Sequence, residues 1–402
     1  MVVMYCNPRM GYLLAQKYNS SEKVIIMYTN VWYVAARSSE LKNKPLHVKM
    51  LGTDFVLFRD QEGKPACLSN ACPHRGASLS NGSCNEHGMV VCPFHGWQFD
   101  REGNCGKIPS VGEDDPQTAA PGVKTDHYPA VEKHGLIWTF LGDEPNQAEP
   151  IFELPELEDP SFTYIEHDVI FESNFHLAKF SNLDYVHLPI VHGIKFENQE
   201  NPFQPPPHQV KRTDYGLTAF IQTEATYSKG EWENVREKGT QVKSVLKYFM
   251  AGQTLRGEVE IGAIGSGRFN CFYEFSTPID QTTTMMRYYF FRNFMTQKEM
   301  DAVALEKNLK NIFQDKEIAE AQVPKAGPDG MPTIVGKHED TILKVYWELM
   351  HEMRDKGWQI DNKKWQALVA SGEYCVVPSI ARKVNPKGWQ YPSIPRLEST
   401  NG

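Results

Sequence analysis

The sequence predicts an α+β protein of two domains, an N-terminal β domain and a larger mixed domain. A chain of 402 residues is too long for one ordinary hydrophobic core. Residues 30–150 hold short apolar or alternating runs that turns interrupt, whereas residues 150–295 hold longer alternating stretches, typical of antiparallel strands. From Thr296 the apolar residues recur at helical spacing.

Short strands and tight turns alternate in the N-terminal domain. Residues 48–50, 54–59 and 89–92 are apolar or alternating runs, and we predict a strand at each of them. The residues at 52–54 and 62–63 include glycine and acidic side chains, which favour turns. This pattern indicates an all-β domain.

The second domain combines long strands with helices. Four alternating stretches are predicted antiparallel strands, at residues 217–227, 254–261, 268–276 and 285–291. Residues 179–192 predict a helix that Pro189 bends or ends. A capping box at residues 296–299 predicts the start of another helix, which should end before Pro324. A third, amphipathic helix is expected at about residues 338–355.

Composition and charge exclude several classes of protein. The chain has 41% apolar and 23% charged residues, as in ordinary globular proteins. Its net charge of −8 argues against a sequence-independent nucleic-acid partner, which would need a basic face. We expect no membrane span, because no run of about 18 apolar residues occurs.

The N-terminal segment and the cysteines indicate the cellular compartment of the protein. Residues 1–28 lack the compact apolar core of a secretory signal, and we interpret them as a loosely ordered extension. A short targeting segment and an alternative start at Met27 are the other interpretations. Eight cysteines in 402 residues do not indicate a disulfide scaffold, and those near histidines point to metal. We therefore expect a reducing, cytoplasmic location.

The first constellation of metal-binding residues has the pattern Cys-x-His, seventeen residues, Cys-x-x-His. Its members are Cys72, His74, Cys92 and His95. In a Rieske [2Fe–2S] centre two cysteines hold one iron and two histidines hold the other. Two loops that each supply one cysteine and one histidine meet that requirement.

A Cys₂His₂ zinc site is the alternative interpretation of the same four residues, since zinc accepts these ligands. Zinc fingers usually pair cysteine with cysteine and histidine with histidine, whereas each half of this motif is mixed. Cys84 and His87 lie between the halves at a spacing that fits neither pair, and we interpret them as loop residues.

The second constellation is Asp184, His187 and His192, in the pattern Asp-x-x-His-x₄-His. Two histidines near one helix end, together with a carboxylate, are typical of the facial triad of non-haem Fe(II) oxygenases. On a helix, Asp184 and His187 share one face, and Pro189 provides the distortion that brings His192 beside them. The alternative is a pair of ordinary core histidines. His167 and His176 lie nearby, and we assign neither a role.

The residues around both motifs resemble the Rieske oxygenases that hydroxylate rings, above all the branch of vanillate O-demethylase and the pheophorbide or chlorophyllide oxygenases. Five segments carry the resemblance, at residues 31–35, Gly52, 72–76, 92–97 and 108–110. It covers about residues 28–325, and it implies that Cys72, His74, Cys92 and His95 hold the cluster.

The resemblance also implies a domain organisation. A Rieske domain is expected at residues 29–150 and a mononuclear iron domain of the helix-grip fold, a curved antiparallel sheet around a long helix, at residues 151–355. Residues 356–402 would form a C-terminal tail that packs on the catalytic domain.

The resemblance further implies roles for three ligands and one bridge. His187 and His192 would bind the mononuclear iron. Asp184 would not bind it, but would connect His187 to the outer Rieske histidine of a neighbouring subunit. For the third ligand we select Asp315, which lies close to the apolar stripe of its helix, where an unpaired carboxylate is costly. A solvated aspartate on a charged helix is the alternative.

The expected function is therefore a Rieske oxygenase that hydroxylates or demethylates a small aromatic or cyclic molecule with O₂, more as a monooxygenase than a dioxygenase. No nucleotide-binding fingerprint occurs, so electrons should come from a separate NAD(P)H-dependent reductase or a ferredoxin. The family forms head-to-tail homotrimers. The alternatives are a Rieske electron carrier with a non-catalytic binding domain, and a structural zinc module.

The substrate pocket is expected among residues 200–300. Seven apolar or aromatic side chains could line it and are equally ordinary core residues: Phe220, Phe249, Met250, Phe272, Tyr273, Met286 and Tyr288.

Overall fold

A computed structural model describes residues 27–112, 118, 122–194, 196, 201, 203–204, 208–224, 241–261, 265–323 and 340–400. Most of the predicted extension at residues 1–28 and the first part of the helix predicted at 338–355 lie outside these ranges. Within them the strands pair in antiparallel fashion into four sheets, and helices pack beside the largest. The predicted α+β class is confirmed.

The N-terminal region is built from three small sheets. Its strands are β1 (Val31–Arg37), β2 (Leu46–Met50), β3 (Thr53–Arg59), β4 (Pro65–Ser69), β5 (Ser83–Cys84), β6 (Val90–Val91), β7 (Gln98–Phe99), β8 (Cys105–Lys107), β9 (His127–Tyr128), β10 (Ala130–Lys133) and β11 (Leu136–Leu141). The sheets have the orders β1-β11-β10, β2-β3-β4-β9 and β5-β6-β7-β8. The strands predicted at 48–50 and 54–59 are confirmed as parts of β2 and β3, and β6 forms the two central residues of the strand predicted at 89–92.

The second region is a seven-stranded sheet with helices. Its elements in chain order are β12 (Thr163–Phe171), α1 (Phe175–Leu183), α2 (Leu188–Val191), β13 (Gln209–Arg212), β14 (Gly216–Glu224), β15 (Gln241–Phe249), β16 (Thr254–Glu260), β17 (Phe269–Pro278), β18 (Thr284–Arg292), α3 (Asp301–Ala321) and α4 (Thr341–Asp355). The strand order is β12-β18-β17-β16-β15-β14-β13. The four predicted strands are confirmed as β14, β16, β17 and β18, although residues 225–227 of the first lie outside the described ranges.

Two helix predictions are wrong in detail. Residues 179–192 do not form one helix, because Asp184 ends α1 in an extended conformation and α2 begins only at Leu188. Pro189 lies in the first turn of α2, where its missing N–H costs nothing. The capping box at residues 296–299 does not start α3, which begins at Asp301 after a turn of 3₁₀ helix.

The C-terminal tail joins both regions. It forms α5 (Asn362–Ala370) and α6 (Ile380–Val384). The amide of Gln281 in the second region donates to Asn362 at 3.3 Å. The tail also reaches the first region, where Arg382 forms two hydrogen bonds with Asp126 at 2.6 and 2.7 Å. The tail thus contacts the first region as well as the second, where packing was expected.

A buried ion pair connects α1 to the large sheet. Lys179 Nζ lies 2.8 Å from Glu274 Oε1 on β17, and neither side chain is exposed to solvent. Burial lowers the pKa of Lys179, and Glu274 opposes that shift. The second carboxylate oxygen of Glu274 accepts a hydrogen bond from Asn182. One lysine thus neutralises a carboxylate that has no access to water.

Replacement of Lys179 by methionine is expected to destabilise the fold by about 3–5 kcal/mol, because it leaves the Glu274 charge buried and unpaired. Chemical denaturation of the purified protein measures the change. Lys49→Met is the control, since Lys49 Nζ lies 3.7 Å from Asp280 in an exposed pair, which contributes at most about 1 kcal/mol. Equal effects of the two variants would contradict the assignment.

A buried histidine on α1 makes stability depend on pH. His176 stacks on Trp347 with ring centroids 5.1 Å apart, and its Nδ1 lies 2.6 Å from the Tyr346 hydroxyl. Burial, with a smaller contribution from Lys179, lowers the pKa of His176 to about 3. The folded protein therefore keeps this ring neutral at any moderate pH.

Below about pH 6.5 the unfolded chain binds a proton at His176 that the folded chain does not, so the free energy of unfolding falls as pH falls. Between pH 7.5 and pH 5.0 this group should remove about 2 kcal/mol of stability. Urea unfolding at both pH values should show a smaller loss for His176→Gln than for wild type. The same loss in both proteins would show that other groups control the acid sensitivity.

Candidate functional site

Two loops of the same shape carry the first constellation. In one loop the amide of Gly76 donates to the Cys72 carbonyl at 2.8 Å, and in the other Gly96 donates to Cys92 at 3.0 Å. Both glycines have left-handed backbones, with φ of 71° and 70°, a conformation that other residues rarely adopt. The repeated Cys-to-Gly turn therefore presents each cysteine and its histidine in a similar way.

The four side chains of the motif converge between these loops. Cys72 and Cys92 are 1% and 3% exposed, whereas His95 is exposed and His74 is partly so. The imidazoles lie edge to face with centroids 4.6 Å apart, and Trp97 stacks on His74 at 4.4 Å. The cysteine side chains are thus buried in the protein, and the histidine side chains lie nearer its surface. Cys84 on β5 and the exposed His87 belong to neither loop.

The donor set fits a metal cluster. Burial, with Cys92 close by, raises the pKa of Cys72 to about 12, so a bound cation would strongly favour the thiolate there. The Nδ1 atom of His74 is buried and has no hydrogen-bond partner among the described residues. Two buried sulfurs beside two imidazoles, one with an unused nitrogen, are the ligands of a mixed Cys/His iron–sulfur centre.

The tail of the chain touches this centre. The Tyr391 hydroxyl donates to the carbonyl oxygen of Cys72 at 3.1 Å. Sequence reasoning missed this contact, because the two residues are 319 positions apart.

The second constellation forms where α1 ends. One carboxylate oxygen of Asp184 accepts the amide of Val186 at 2.7 Å, and this turn leads directly into α2. His187 and His192 flank the single turn of α2, so their rings meet with centroids 5.1 Å apart. The five-residue spacing thus works through a short separate helix, not through the distorted long helix that we predicted.

Asp315 on α3 completes a group of three ligand atoms. Its Oδ1 lies 3.5 Å from His187 Nε2 and 3.2 Å from His192 Nε2, and the two Nε2 atoms are 3.2 Å apart. A metal ion about 2.1 Å from each ligand places neighbouring ligand atoms about 3.0 to 3.4 Å apart at octahedral or tetrahedral angles. The observed spacing matches that requirement.

The protonation pattern of this group also fits a cation. His192 Nδ1 lies 2.9 Å from Gln314 Oε1, so Nδ1 donates to the amide oxygen and Nε2 faces Asp315. Asp315 is 8% exposed, and its Oδ1 is buried without a hydrogen-bond partner among the described residues. Two ring nitrogens and a carboxylate oxygen that face one another repel when none carries a proton, and a metal cation between them removes that repulsion.

Burial and neighbouring negative charge shift the pKa of each histidine ring in opposite directions. Burial lowers the pKa of His192, but Asp315 and Gln314 outweigh it and raise the value overall. For His187 burial is stronger than the attraction of Asp315 and Asp184, and the pKa is lowered. Sequence reasoning did not assign Gln314 a role, although it precedes Asp315 directly.

Asp184 stands beside this group without joining it. Its Oδ2 lies 3.8 Å from His187 Nδ1, on the side of the ring opposite the converging ligand atoms. Burial raises the pKa of Asp184. The predicted helical i, i+3 geometry is wrong, since Asp184 lies past the end of α1, but the predicted neighbourhood of Asp184 and His187 is present.

A cavity of about 290 Å³ opens next to the three ligand atoms. Asp184, His187, His192 and Asp315 all line it. Of the seven aromatic or apolar side chains expected in the pocket, Phe272 and Tyr288 line it, and the other five do not. The sequence could not separate the two faces of each strand. His167 and His176 are also absent from its walls.

Comparison with known families matches both regions. Residues 31–129 match the model of the Rieske [2Fe-2S] domain, and residues 177–345 match the vanillate O-demethylase oxygenase C-terminal domain. The two matches together include the four residues of the first constellation, the three of the second, and Asp315. None of the helices in the described ranges has the length and apolar character needed to cross a membrane.

Several curated proteins are similar to parts of the chain. Chlorophyllide a oxygenase of Arabidopsis thaliana is 35% identical over 170 residues, which are 42% of this chain and 27% of that protein. Cholesterol 7-desaturase of Bombyx mori is 30% identical over 255 residues, 62% of this chain and 52% of that protein. The matches thus span between about a quarter and a half of these relatives.

Solved structures share the fold over most of the chain. Dicamba monooxygenase bound to dicamba superposes with a TM-score of 0.68 at 23% identity, covering 82% of this chain and 98% of that one. A mutant of NdmA from Pseudomonas putida with caffeine gives a TM-score of 0.67 at 20% identity, covering 81% and 91%. At this level of identity the likeness concerns the fold.

Proposed function

Because this chain belongs to the Rieske oxygenase family, with a Rieske [2Fe-2S] domain followed by an oxygenase C-terminal domain, we propose that it hydroxylates or demethylates a small aromatic or cyclic molecule. The reaction would use O₂ and electrons from a separate reductase or ferredoxin. The relatives include proteins named as monooxygenases and as a dioxygenase, and we favour a monooxygenase.

One observation carries this proposal. Three metal-ligand atoms from α2 and α3 converge at one end of a cavity, in the same chain as the cluster domain. A simple electron carrier has no need of a second metal-binding group with a cavity beside it. The alternative of a carrier with a non-catalytic binding domain leaves this arrangement unexplained.

In this proposal Cys72 and Cys92 hold the inner iron of the cluster, and His74 and His95 hold the outer one. Neutral imidazoles remove negative charge from the outer iron, which raises the reduction potential. The exposed ring of His95 gives a partner protein access to that side of the cluster. A reductase or ferredoxin would dock there.

His187, His192 and Asp315 would hold the mononuclear iron as a facial triad. When bound, such an iron would supply the activation of O₂. Gln314 fixes the ring of His192 through Nδ1, so that Nε2 stays directed at Asp315 and His187. The apolar walls of the cavity exclude water from the reacting groups.

Asp184 would position His187 and would lie on the path of electron transfer from a cluster to the triad. A carboxylate close to Nδ1 favours the tautomer whose Nε2 is free to bind metal. Because the cluster loops and the triad lie in different regions, we propose that electrons cross between subunits of a head-to-tail homotrimer. Asp184 would then face an outer Rieske histidine of the neighbouring subunit.

The remaining proposals concern organisation. We propose domain limits of 29–150 for the Rieske domain and 151–355 for the catalytic domain, with residues 356–402 as a tail and residues 1–28 as an extension. We also propose a cytoplasmic location, because the cysteines that would bind the cluster must stay reduced.

A product assay tests the proposed activity. The full chain is combined with a ferredoxin, its NADPH-dependent reductase and a panel of aromatic and cyclic methyl ethers and C-methyl compounds under ¹⁸O₂, and products are analysed by mass spectrometry. A hydroxylated ring or C-methyl group keeps the labelled oxygen, whereas demethylation of an ether releases an unlabelled phenol or alcohol and formaldehyde, whose oxygen exchanges with water. With wild type we expect a labelled hydroxylated product or O₂-dependent formaldehyde, and neither with Cys72→Ser or His192→Ala.

Two outcomes separate the alternatives. A Rieske electron carrier would pass electrons to an external acceptor without incorporating labelled oxygen. A zinc module would be colourless and would accept no electrons, since zinc has no redox chemistry.

A further inference from the structure

One wall of the cavity is the face of the large sheet that packs against α1 and α3, and a glycine lies in the middle of that wall. Gly257 on β16 lines the cavity, and the next residues on the same face of the strand are Leu255 and Val259. Gly257 is not one of the glycines with a left-handed backbone, so the chain conformation does not require it. Glycine inside a strand weakens the strand, and often marks a place where another group approaches closely.

The ring of Phe272 occupies the space that a side chain at residue 257 would need. The two residues are direct partners in the pairing of β16 with β17. A Cβ atom on Gly257 would lie 2.6 Å from Cζ and 2.9 Å from Cδ1 of Phe272, closer than Cβ atoms approach other atoms in proteins. Opposed side chains normally stand upright with their Cβ atoms about 5 Å apart, so this ring leans across its neighbour.

Phe272 presents accessible aromatic surface to the cavity. It lines the cavity and is partly exposed, whereas Tyr288 and Phe290, the aromatic residues that β18 contributes to the wall, are 2% and 5% exposed. Because β17 has a strand on each side, the exposed part of the ring belongs to the cavity. Phe272 packs against the apolar cluster that contains Ile312, which is one helical turn before Asp315. The ring therefore lies near the triad.

The ring of Phe272 has room to move in one direction only. On the side away from Gly257 its direct partner is Phe290, which stacks on Tyr288 with ring centroids 5.4 Å apart and an angle of 8° between the planes. A side chain at residue 257 would therefore push the ring off the sheet and into the cavity. Only the far end of the Phe272 side chain is in the way, so the pairing of the two strands would persist.

We propose that Gly257 and Phe272 determine the specificity of the cavity for flat aromatic rings. Gly257 leaves the space in which Phe272 leans against the sheet, and the accessible side of that ring packs on the face of a planar substrate beside the triad. Offset-stacked aromatic rings are stabilised beyond the effect of their buried area, and a puckered saturated ring does not make this contact. This inference rests on the proposed oxygenase function and names flat aromatic molecules as the substrates.

A flat and a puckered probe with the same carbon skeleton test the proposal. The probes are 2-naphthol and trans-decahydro-2-naphthol, which are both uncharged at neutral pH. Isothermal titration calorimetry on the full chain, with iron and cluster content verified, measures both affinities for each variant. The ratio of the affinity for the flat probe to that for the puckered probe is compared, because changes that weaken both probes equally cancel in it.

Phe272→Leu removes the aromatic face but keeps an apolar side chain in the wall. It should lower the ratio about two- to tenfold, the range for the loss of an aromatic pair. Phe220→Leu is the matched control, because it makes the same substitution on β14 of the same sheet at a position that does not line the cavity. Its ratio should equal that of wild type.

Gly257→Ala adds the Cβ atom that meets Phe272, and should weaken both probes about tenfold or more, as overpacked sites do. Combination with Phe272→Leu should restore the affinity for the puckered probe, because the shorter side chain leaves room for the new Cβ atom, while the ratio stays low. Gly112→Ala is the control, since nothing lies within 4 Å of a Cβ atom at that exposed position. An aromatic ring over a glycine also stabilises some sheets, so urea unfolding of each variant is measured as well.

The proposal is overturned if Phe272→Leu leaves the ratio unchanged, if Gly257→Ala binds both probes as wild type does, or if wild type binds neither probe. Loss of stability with both affinities intact would show that the pair only supports the sheet, which also overturns it. If Gly257→Ala does not fold, the ratio for Phe272→Leu decides alone. Failure of the oxygenase function would instead appear as missing mononuclear iron or missing product, whatever these affinities are.

Discussion

Replacement of both His187 and His192 by alanine is expected to reduce product formation more than about a thousandfold, because the metal-dependent part of catalysis contributes several kcal/mol. Both histidines flank the four-residue helix α2, and their rings face each other, Asp315 and the cavity. The thermal midpoint should therefore change little. Product formation with saturating ferredoxin and reductase measures the effect.

The control for this double variant is His167→Ala. His167 is on strand β12, and its side chain does not line the cavity. Its replacement should leave turnover near the wild-type rate. A double variant that keeps more than a tenth of the activity would show that the triad is not where oxygen reacts.

Replacement of Asp184 by asparagine is expected to slow turnover about 10- to 100-fold while both metal centres stay loaded, the range for groups that support a metal ligand. Asparagine keeps an oxygen that can accept the Val186 amide, so the turn into α2 should persist. What it loses is the charge near His187 Nδ1. Stopped-flow reoxidation of the reduced cluster by O₂ with substrate should slow to the same degree as turnover.

Glu317→Gln serves as the matched variant for Asp184, because it removes one carboxylate from an exposed position of α3. It should reoxidise at the wild-type rate. If Asp184→Asn lowers turnover but leaves cluster reoxidation unchanged, then the carboxylate does not carry the electron path. If it instead loses iron, its role is only to hold His187.

The metal ligands could be predicted from the sequence because cysteine and histidine are rare residues and occur in such motifs at fixed spacings. Cys72 and His74, followed by Cys92 and His95, are close along the chain, so the pattern survives without a structure. Asp315 was harder, since it is 123 positions beyond His192 and only its place near an apolar helical stripe distinguished it. The structure brings its carboxylate to 3.2 Å from His192.

Local geometry was less predictable than ligand identity. The sequence between Lys179 and His192 has helical periodicity, yet the hydrogen bond from Val186 to Asp184 replaces the next helical turn. Whether the helix continues past residue 183 thus depends on the side chain of Asp184, and the spacing of apolar residues carries no information about that side chain.

Contacts between distant segments could not be predicted at all. Tyr391 reaches Cys72, and Lys179 pairs with Glu274, because of how the tail and the sheet pack. Gly257 gives no sign in the sequence that the ring of Phe272 leans across it, since that depends on the register of β16 and β17.

The central claim is that one chain holds two separate iron centres. Metal analysis of the purified full chain, combined with EPR of the reduced protein, tests it most directly. The account predicts about three irons per chain and a rhombic Rieske signal in wild type, with about one iron and no signal in Cys72→Ser. The double alanine variant of His187 and His192 should keep the signal and about two irons. Stoichiometric zinc without a signal, or iron content that the double variant leaves unchanged, would contradict it.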